Sequence, residues 1–129
     1  MTRLIFICSV ILLFCMVACS NKKIIKYDSD SGSTCTLSPR DTLEIVLKSN
    51  PTTGYEWKLT SLDTAVMKNI AKDYISDKVP GHTMGSGGRS IFSFVAVHHG
   101  STRMKMIYHR SFEKDVAPVR IFTLRVKVR

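Results

Sequence analysis

Apolar and polar residues alternate with a period of two along almost the whole chain after the first twenty residues. Side chains at alternate positions of an extended strand point to opposite faces, so each apolar set is predicted to form one inward face. No segment keeps a helical period for long. The chain is therefore predicted to be all-β, with these inward-facing sets: Leu43, Ile45 and Leu47; Tyr55, Trp57 and Leu59; Phe92, Phe94 and Ala96; Met104, Met106 and Tyr108; Phe122, Leu124, Val126 and Val128.

Turn-forming stretches separate these runs and indicate seven or eight short strands. They read "DSDSGS", "SPRD", "NPTTG", "PGHTMGSGG", "HHGS" and the segment around Pro118. With 129 residues of 44% apolar content, the chain has one domain's worth of core. The spacing favours an antiparallel β-sandwich of the immunoglobulin-like type or a small barrel. A short helical turn is expected near Ser61 to Val66, with Ser61 as its cap.

The first residues are typical of an export signal, with one basic residue, Arg3, before an apolar run too short to span a membrane comfortably. The run ends in "MVAC", which resembles the lipobox of bacterial lipoproteins and implies lipidation of Cys19. We therefore expect a signal peptide over 1–18, a lipidated tether over 19–23 and a folded domain over 24–129. The product would be exported and held on a bacterial membrane, facing the periplasm or the cell surface; an uncleaved anchor is the alternative.

Removal of the signal and lipidation of Cys19 would leave Cys35 as the one thiol of the folded domain, so no internal disulfide is expected. The formal net charge is +9, or about +8 without Arg3. The basic residues alternate with apolar ones along strands, as in Arg103 and Lys105, which is typical of a solvated sheet face. We interpret the charge as an aid to solubility, with attraction to an acidic partner or anionic surface, and expect no nucleic-acid binding.

Three loops differ from plain connections. Asn50 to Tyr55, "NPTTGY", combines an Asn that favours a side-chain turn, a Pro that fixes φ and a Gly that permits positive φ. Gly81 to Gly88, "GHTMGSGG", exposes backbone beside the apolar Met84. Tyr108 to Glu113, "YHRSFE", places Arg110 and Phe112 at a strand end. Each has an ordinary structural explanation: a stiff turn, a flexible hairpin loop, and a core Phe beside a solvated Arg.

In this order, "NPTTGY", "GSGG" and "RSF" resemble the "NPTTGF", "GxGG" and "RPW" motifs of the chagasin family, inhibitors of papain-like cysteine peptidases. The similarity extends from about Lys23 to Val128. It implies an immunoglobulin-like sandwich whose three motif loops meet at one end and enter the peptidase cleft. It also implies a reversible, tight, one-to-one complex of a monomeric inhibitor with the peptidase, with no metal, cofactor or catalytic residue.

The resemblance also implies a role for each loop. Thr53, with Thr52 beside it, would lie nearest the catalytic cysteine of the peptidase, while Asn50, Pro51 and Gly54 hold the shape of a loop that ends at Tyr55. The second loop would pair its backbone with the non-primed side of the cleft and place Met84 in an apolar pocket; it comprises Met84, Gly85, Ser86, Gly87 and Gly88. The third would cover the primed side with Arg110, Ser111 and Phe112, the ring packing on a tryptophan.

The sequence departs from the family pattern at Ser111, where the family has proline, and at Phe112, where it has tryptophan. Proline stiffens a loop before binding, and its loss costs about 0.5–1 kcal/mol of affinity through the freer unbound loop. The third loop is therefore expected to be the weakest anchor.

Two other classes of function compete with inhibition. An enzyme would have to pair Cys35 with one of four histidines, His82, His98, His99 or His109. Cys35 lies in an alternating stretch, "STCTLS", where a buried, inert thiol is expected, so we predict that the chain is not an enzyme. The second alternative is a lipid-anchored immunoglobulin-like module for adhesion or ligand binding. Such a module has no need of the ordered loop triple.

Overall fold

A computed structural model describes residues 20–77 and 87–129. Eight strands account for most of them: β1 (Lys23–Tyr27), β2 (Thr34–Leu37), β3 (Thr42–Ser49), β4 (Tyr55–Ser61), β5 (Met67–Ser76), β6 (Gly88–Ala96), β7 (Gly100–Arg110) and β8 (Arg120–Val128). Two single 3₁₀ turns lie at Asp28–Asp30 and Pro51–Thr53. In these ranges, no helix has the length and apolar character to cross a membrane. The all-β prediction is confirmed.

The strands form two four-stranded sheets. The first sheet has the order β1-β3-β6-β5 and the second has the order β2-β8-β7-β4. Most neighbours are antiparallel, as predicted, whereas β1 pairs with β3 and β2 with β8 in parallel. The chain crosses from β1 at the edge of one sheet to β2 at the edge of the other. Neither short strand therefore forms a hairpin with the strand next to it in sequence, and parallel pairing is possible.

The core lies between the sheets and consists of the inward faces that the alternation predicts. Leu43, Ile45 and Leu47 of β3 are fully buried, as are Met104 and Met106 of β7. Trp57 is buried, and its neighbours Tyr55 and Leu59 are partly buried against the same cluster. All of these core side chains come from strands between Lys23 and Val128. A chain beginning at Asn21 therefore contains all eight strands and this core.

The short turn predicted over Ser61 to Val66 is present at Thr64 to Val66, but the prediction that Ser61 caps it is wrong. Ser61 is the last residue of β4, and Thr64 to Val66 form a turn that Asp63 closes. The Asp63 carboxylate accepts from the Ala65 amide at 3.0 Å, and its carbonyl accepts from the Val66 and Met67 amides. Asp63 thus supplies the cap that was expected of Ser61, because its carboxylate reaches a following amide directly.

The outer edge of the first sheet is protected against strand addition. β5 pairs with β6 on one side only, and its register shifts between Asn69 and Ala71, where Ile70 is exposed. Lys72 points inward beside this bulge, with its ammonium 5.4 Å from the Phe92 ring centroid. A bulge and an inward charge both discourage another strand from pairing with an edge.

Candidate functional site

Three connections meet at one end of the sandwich, here called the loop end. Ser49, the last residue of β3, pairs with Gly88, the first of β6, and Tyr55 of β4 pairs with Arg110, the last of β7. The β3–β4, β5–β6 and β7–β8 connections therefore leave the sheets together. The Lys22 carbonyl accepts from the Thr42 amide at the opposite end, here called the far end.

The β3–β4 connection is a stiff, internally bonded loop. The side chain of Asn50 accepts from the Thr52 amide at 3.3 Å, and the Thr53 hydroxyl donates to the Asn50 carbonyl at 2.6 Å. Pro51 begins the 3₁₀ turn, and Gly54 ends it in the left-handed conformation with φ of 82°. Because the loop satisfies its own polar groups, Thr52 and Thr53 stay exposed in a fixed backbone shape.

Two buried aromatic side chains and a partly buried arginine support the base of this loop from the second sheet. The Asn50 amide donates to the Tyr108 hydroxyl at 2.8 Å. The Lys48 carbonyl accepts from both the Trp57 indole, at 2.9 Å, and the Arg120 guanidinium, at 3.1 Å. The guanidinium carbon of Arg120 lies 5.2 Å from the Trp57 ring centroid and 5.5 Å from that of Tyr108. These contacts fix the backbone on which the exposed threonines stand.

The β7–β8 connection is joined to the first loop by Arg110. Its Nε donates to the Thr53 carbonyl at 3.1 Å, and its guanidinium carbon lies 4.4 Å from the Tyr55 ring centroid. A second nitrogen, Nη1, pairs with Glu113 at 3.0 Å, and this hydrogen bond raises the pKa of the Arg110 guanidinium. Phe112 is 69% exposed, so the alternative of a core phenylalanine is wrong.

Gly54 and Phe112 are in close apposition. A Cβ at Gly54 would lie only 2.9 Å from Cε1 of the Phe112 ring, closer than side-chain atoms approach one another. The ring therefore covers the bare glycine backbone, and the first and third loops form one surface.

The predicted second loop is described only at its end. Gly87 lies against the first loop, since a Cβ there would be 3.4 Å from the Ser49 carbonyl oxygen. Gly88 begins β6, and a Cβ on it would overlap the Ile75 carbonyl oxygen and the Tyr74 ring. Close packing therefore favours glycine at position 88, whereas a Cβ at position 87 would make an ordinary van der Waals contact. Met84, Gly85 and Ser86 lie outside the described residues, as does Cys19.

A cavity of about 650 Å³ opens beside the first loop at the loop end. Residues of both sheets line it, including Lys48, Gly88, Tyr108 and Arg120, together with Asp28 from the first 3₁₀ turn. Asp28 pairs with the Arg120 guanidinium and accepts from the Lys48 amide at 2.9 Å. This cluster joins the sheets directly beneath the loops.

The enzyme alternative finds no support in the geometry of Cys35. The thiol lies on the inner face of β2 and is 4% exposed. Burial raises its pKa, so it stays protonated at neutral pH. His109 lies on the outer face of the second sheet, opposite Glu56, and His98 and His99 are exposed between β6 and β7. His82 is outside the described residues.

The supporting residues were not identified as such from the sequence. Tyr108 was placed on an inward face, but its bond to Asn50 spans 58 residues, and the contact of Arg120 with Lys48 spans 72. The position of Tyr108 in the sequence is the one indication of its role, because it ends an inward row two residues before Arg110, next to the first loop. Nothing in the local sequence around Arg120 indicates its contact with Lys48.

An immunoglobulin-like sandwich that carries ordered loops at one end has the architecture of many binding proteins. The sequence matches the family described as "Chagasin family peptidase inhibitor I42" over residues 36–126. The chain belongs to this family, whose members are inhibitors of cysteine peptidases, as the resemblance predicted.

Relatives agree with the family in sequence and in fold. Amoebiasin-1 of Entamoeba histolytica is 29% identical over 101 residues, which cover 78% of this chain and 95% of the relative. The crystal structure of the cysteine protease inhibitor EhICP2 from the same organism superposes with a TM-score of 0.76 at 25% identity, covering 84% of this chain and 96% of that one. PbICP-C, solved in complex with falcipain-2, has the same fold, with a TM-score of 0.59 at 18% identity, and covers 85% and 93% respectively.

Proposed function

We propose that this protein is a reversible, tight-binding inhibitor of papain-like cysteine peptidases that fills the active-site cleft with three loops. The loops are Asn50–Tyr55, Met84–Gly88 and Arg110–Phe112. The observation that carries the proposal is the joining of the first and third loops, by the 3.1 Å hydrogen bond from Arg110 to the Thr53 carbonyl and by the packing of Phe112 on Gly54. A surface already ordered before binding loses little conformational entropy in the complex.

The proposal gives different roles to different residues of the first loop. Thr52 and Thr53 are exposed at its tip and would meet the catalytic cysteine, whereas Asn50, Pro51 and Gly54 maintain its shape. The Thr53 carbonyl is held by Arg110 and is thus not free to enter a set of oxyanion-stabilising donors. The cleft would be occupied without presentation of a cleavable bond.

The third loop would contribute an aromatic contact on the primed side. Phe112 is highly exposed, and the guanidinium of Arg110 lies 6.0 Å from its ring centroid. Exposed aromatic and arginine side chains are the residues that most often dominate protein interfaces. The second loop would supply the non-primed contacts through Met84 and the backbone as far as Gly88. PbICP-C, of similar fold, has been solved with a cysteine peptidase, falcipain-2, which agrees with a peptidase partner.

The test is a titration of the chain beginning at Asn21 against papain and a cathepsin-L-like peptidase. We expect stoichiometric one-to-one inhibition that is competitive with an active-site substrate and is reversed on dilution. A covalent complex, cleavage of the first loop, or no inhibition of either enzyme would contradict the proposal. The last result is the one expected of an adhesion or ligand-binding module.

We also propose that the protein is exported and carries lipid on Cys19, with the domain facing the periplasm or the cell surface. The strand order supports this arrangement, because β1 begins at Lys23, close to the predicted end of the tether, and leaves the far end. Expression with a radiolabelled fatty acid should label the wild-type chain and leave a Cys19→Ser variant unlabelled and released from the membrane fraction. Labelling of the variant would contradict acylation at this cysteine.

A further inference from the structure

Two arginines face each other on the outer surface of the second sheet. Arg103 of β7 and Arg125 of β8 are directly paired across the strands, and both side chains are exposed. Among the ion pairs formed within residues 20–77 and 87–129, none includes either arginine. Like charges directly opposite each other destabilise a sheet, so the pair carries a cost that an anion between them would offset.

A cavity of about 290 Å³ lies at this pair and has a rigid wall. The segment Gly32–Thr34 forms that wall next to β8. The Gly32 amide donates to the Thr123 carbonyl at 2.7 Å, and the Arg125 amide donates to the Ser33 carbonyl at 3.0 Å. The position of the wall relative to the backbone of β8 is therefore set by these hydrogen bonds.

A buried hydroxyl in this wall has no partner. Ser33 lines the cavity, and its Oγ is shielded from solvent yet makes no hydrogen bond with the described residues. A buried hydroxyl without a partner carries a free-energy cost, which a ligand oxygen would remove by accepting a hydrogen bond from it once the Ser33 side chain turns toward the cavity. The cavity thus combines two positive charges with one unused donor.

The surroundings are basic and almost free of carboxylates. Lys105 and Lys127 lie two positions from the arginines on the same face, and Lys58 follows on β4. Within the four described strands of this sheet, Glu56 is the acidic residue on that face. The field over the cavity therefore favours an anion strongly.

We infer that the cavity between Arg103, Arg125 and Ser33 is a binding site for a phosphate group. Guanidinium groups bind phosphate oxygens in pairs, and two of them balance the double negative charge of a phosphomonoester. The Ser33 hydroxyl donates to a third oxygen of the tetrahedral group, whereas a planar carboxylate has only two. The same chemistry serves a soluble phosphomonoester or inorganic phosphate and a lipid whose headgroup is a phosphomonoester.

This site is separate from the three loops. Arg103 and Arg110 are seven residues apart on β7, a distance of about 23 Å along a strand. Bound phosphate would leave the loop end free, so phosphate binding and peptidase inhibition would occur together. The inference does not depend on the proposed inhibition.

The first experiment titrates inorganic phosphate into the ¹⁵N-labelled chain beginning at Asn21, at low salt and neutral pH. We expect saturable shifts of the Ser33, Thr34, Arg103 and Arg125 amides. An Arg103→Gln/Arg125→Gln variant should bind at least about tenfold more weakly, given a factor of about five for each basic group near an anionic surface. Ser33→Ala should bind several-fold more weakly while both arginines remain.

The matched control removes two charges elsewhere. Lys22→Gln/Lys68→Gln has the same net charge as the arginine double variant, and both lysines are exposed away from the cavity. Its phosphate affinity should stay within about twofold of wild type, because distant exposed charges are screened. Equal losses in the two double variants, or shifts spread over the whole basic face without saturation, would overturn the site. Thermal unfolding verifies that each variant is folded.

A second arm distinguishes the sources of phosphate. The same proteins are sedimented with phosphatidylcholine vesicles containing phosphatidic acid, whose headgroup is a phosphomonoester, and with vesicles of phosphatidylcholine alone. A lipid headgroup as ligand predicts binding to the anionic vesicles that the arginine double variant loses and the lysine control keeps. Binding of inorganic phosphate without vesicle binding identifies a soluble phosphate. Absence of both kinds of binding overturns the inference.

Discussion

At Gly54 the backbone is left-handed, with φ of 82°, and the Phe112 ring occupies the space where a side chain would begin. An L-residue pays about 1–2 kcal/mol in this conformation. Gly54→Ala should therefore lower the free energy of unfolding by about that amount. It should also weaken inhibition of papain by about tenfold or more, the equivalent of 1.4 kcal/mol of lost contact, because the methyl group displaces the ring that joins two loops.

Gly32→Ala is the matched control for this prediction. Gly32 is also left-handed, with φ of 86°, but nothing lies within 4 Å of a Cβ built there. The two variants should lose similar stability in a denaturant titration, and only Gly54→Ala should lose inhibition. If Gly32→Ala weakens inhibition as much, the effect of Gly54 comes from general destabilisation and not from the loop surface.

At the scale of elements, the third loop contains a turn that is suited to proline. The Glu113 amide donates to the Arg110 carbonyl at 3.2 Å, which makes Ser111 the second residue of a four-residue turn. Proline is favoured at that position, and Arg110 before it ends a strand, as the residue before a proline prefers. Ser111→Pro should therefore raise the unfolding free energy by about 0.4–1 kcal/mol.

The same substitution should tighten inhibition of papain about two- to fivefold, since a stiffer unbound loop loses less entropy on binding. Inhibition constants and thermal unfolding of wild type, Ser111→Pro and Ser111→Ala give the test. The alanine variant removes the hydroxyl without restricting the backbone and should behave as wild type. Weaker inhibition by the proline variant, with stability unchanged or raised, would show that the third loop has to move when it binds.

Asp41 joins two elements at the far end and gives the fold a dependence on pH. Its carboxylate accepts from the Ser38 amide and the Lys22 amide, each at 2.9 Å. These hydrogen bonds lower the pKa of Asp41 below 3.8, the one to Ser38 having the larger effect. Since the pKa is lowered by folding, the stabilisation is fully present above pH 3.8 and is lost as the pH falls through the lower folded value.

Asp41→Asn should accordingly be less stable than wild type by about 1 kcal/mol or more at neutral pH. The difference should shrink as the pH falls below 3.8, because wild type then loses the charge that the variant never had. Urea unfolding between pH 7 and 2 measures both curves. The exposed Asp73→Asn serves as control and should follow wild type throughout. A gap between Asp41→Asn and wild type that persists in acid would contradict this account.

Across the whole molecule, the sequence predicted what depends on local periodicity. The buried faces of β3, β6, β7 and β8 match the alternation, because each strand of a sandwich has one side facing the other sheet, which must be apolar, and one side facing solvent. The parallel pairing of β1 with β3 and of β2 with β8 was not predicted, since alternation carries no information about strand direction. The link between Arg110 and the Thr53 carbonyl was missed for a related reason: its partners are 57 residues apart and meet only when both sheets have formed.

The same topology places the two ends of the molecule in different roles. β3 runs from Thr42 at the far end to Ser49 at the loop end, which separates the ends by about 23 Å. The amino-terminal segment enters the fold at the far end, held by Asp41. A chain fixed to a surface through its amino terminus would therefore present the three loops outward, whereas attachment in the β7–β8 connection, next to the third loop, would bury them.

Immobilisation at single cysteines tests this orientation. The test uses two chains beginning at Ser20, one with Asn21→Cys and one with Lys114→Cys. Each is biotinylated with a maleimide and bound to streptavidin beads. Cys35 should not react, because it is buried and its pKa is raised. Both should inhibit papain equally before labelling. On beads, the Asn21→Cys chain should retain papain stoichiometrically and the Lys114→Cys chain should lose at least about tenfold in affinity, because the bead occupies the surface whose central residues carry most of the binding energy. Equal retention by both beads would mean that the peptidase contacts another part of the molecule, and the assignment of the loop end as the inhibitory surface would then be wrong.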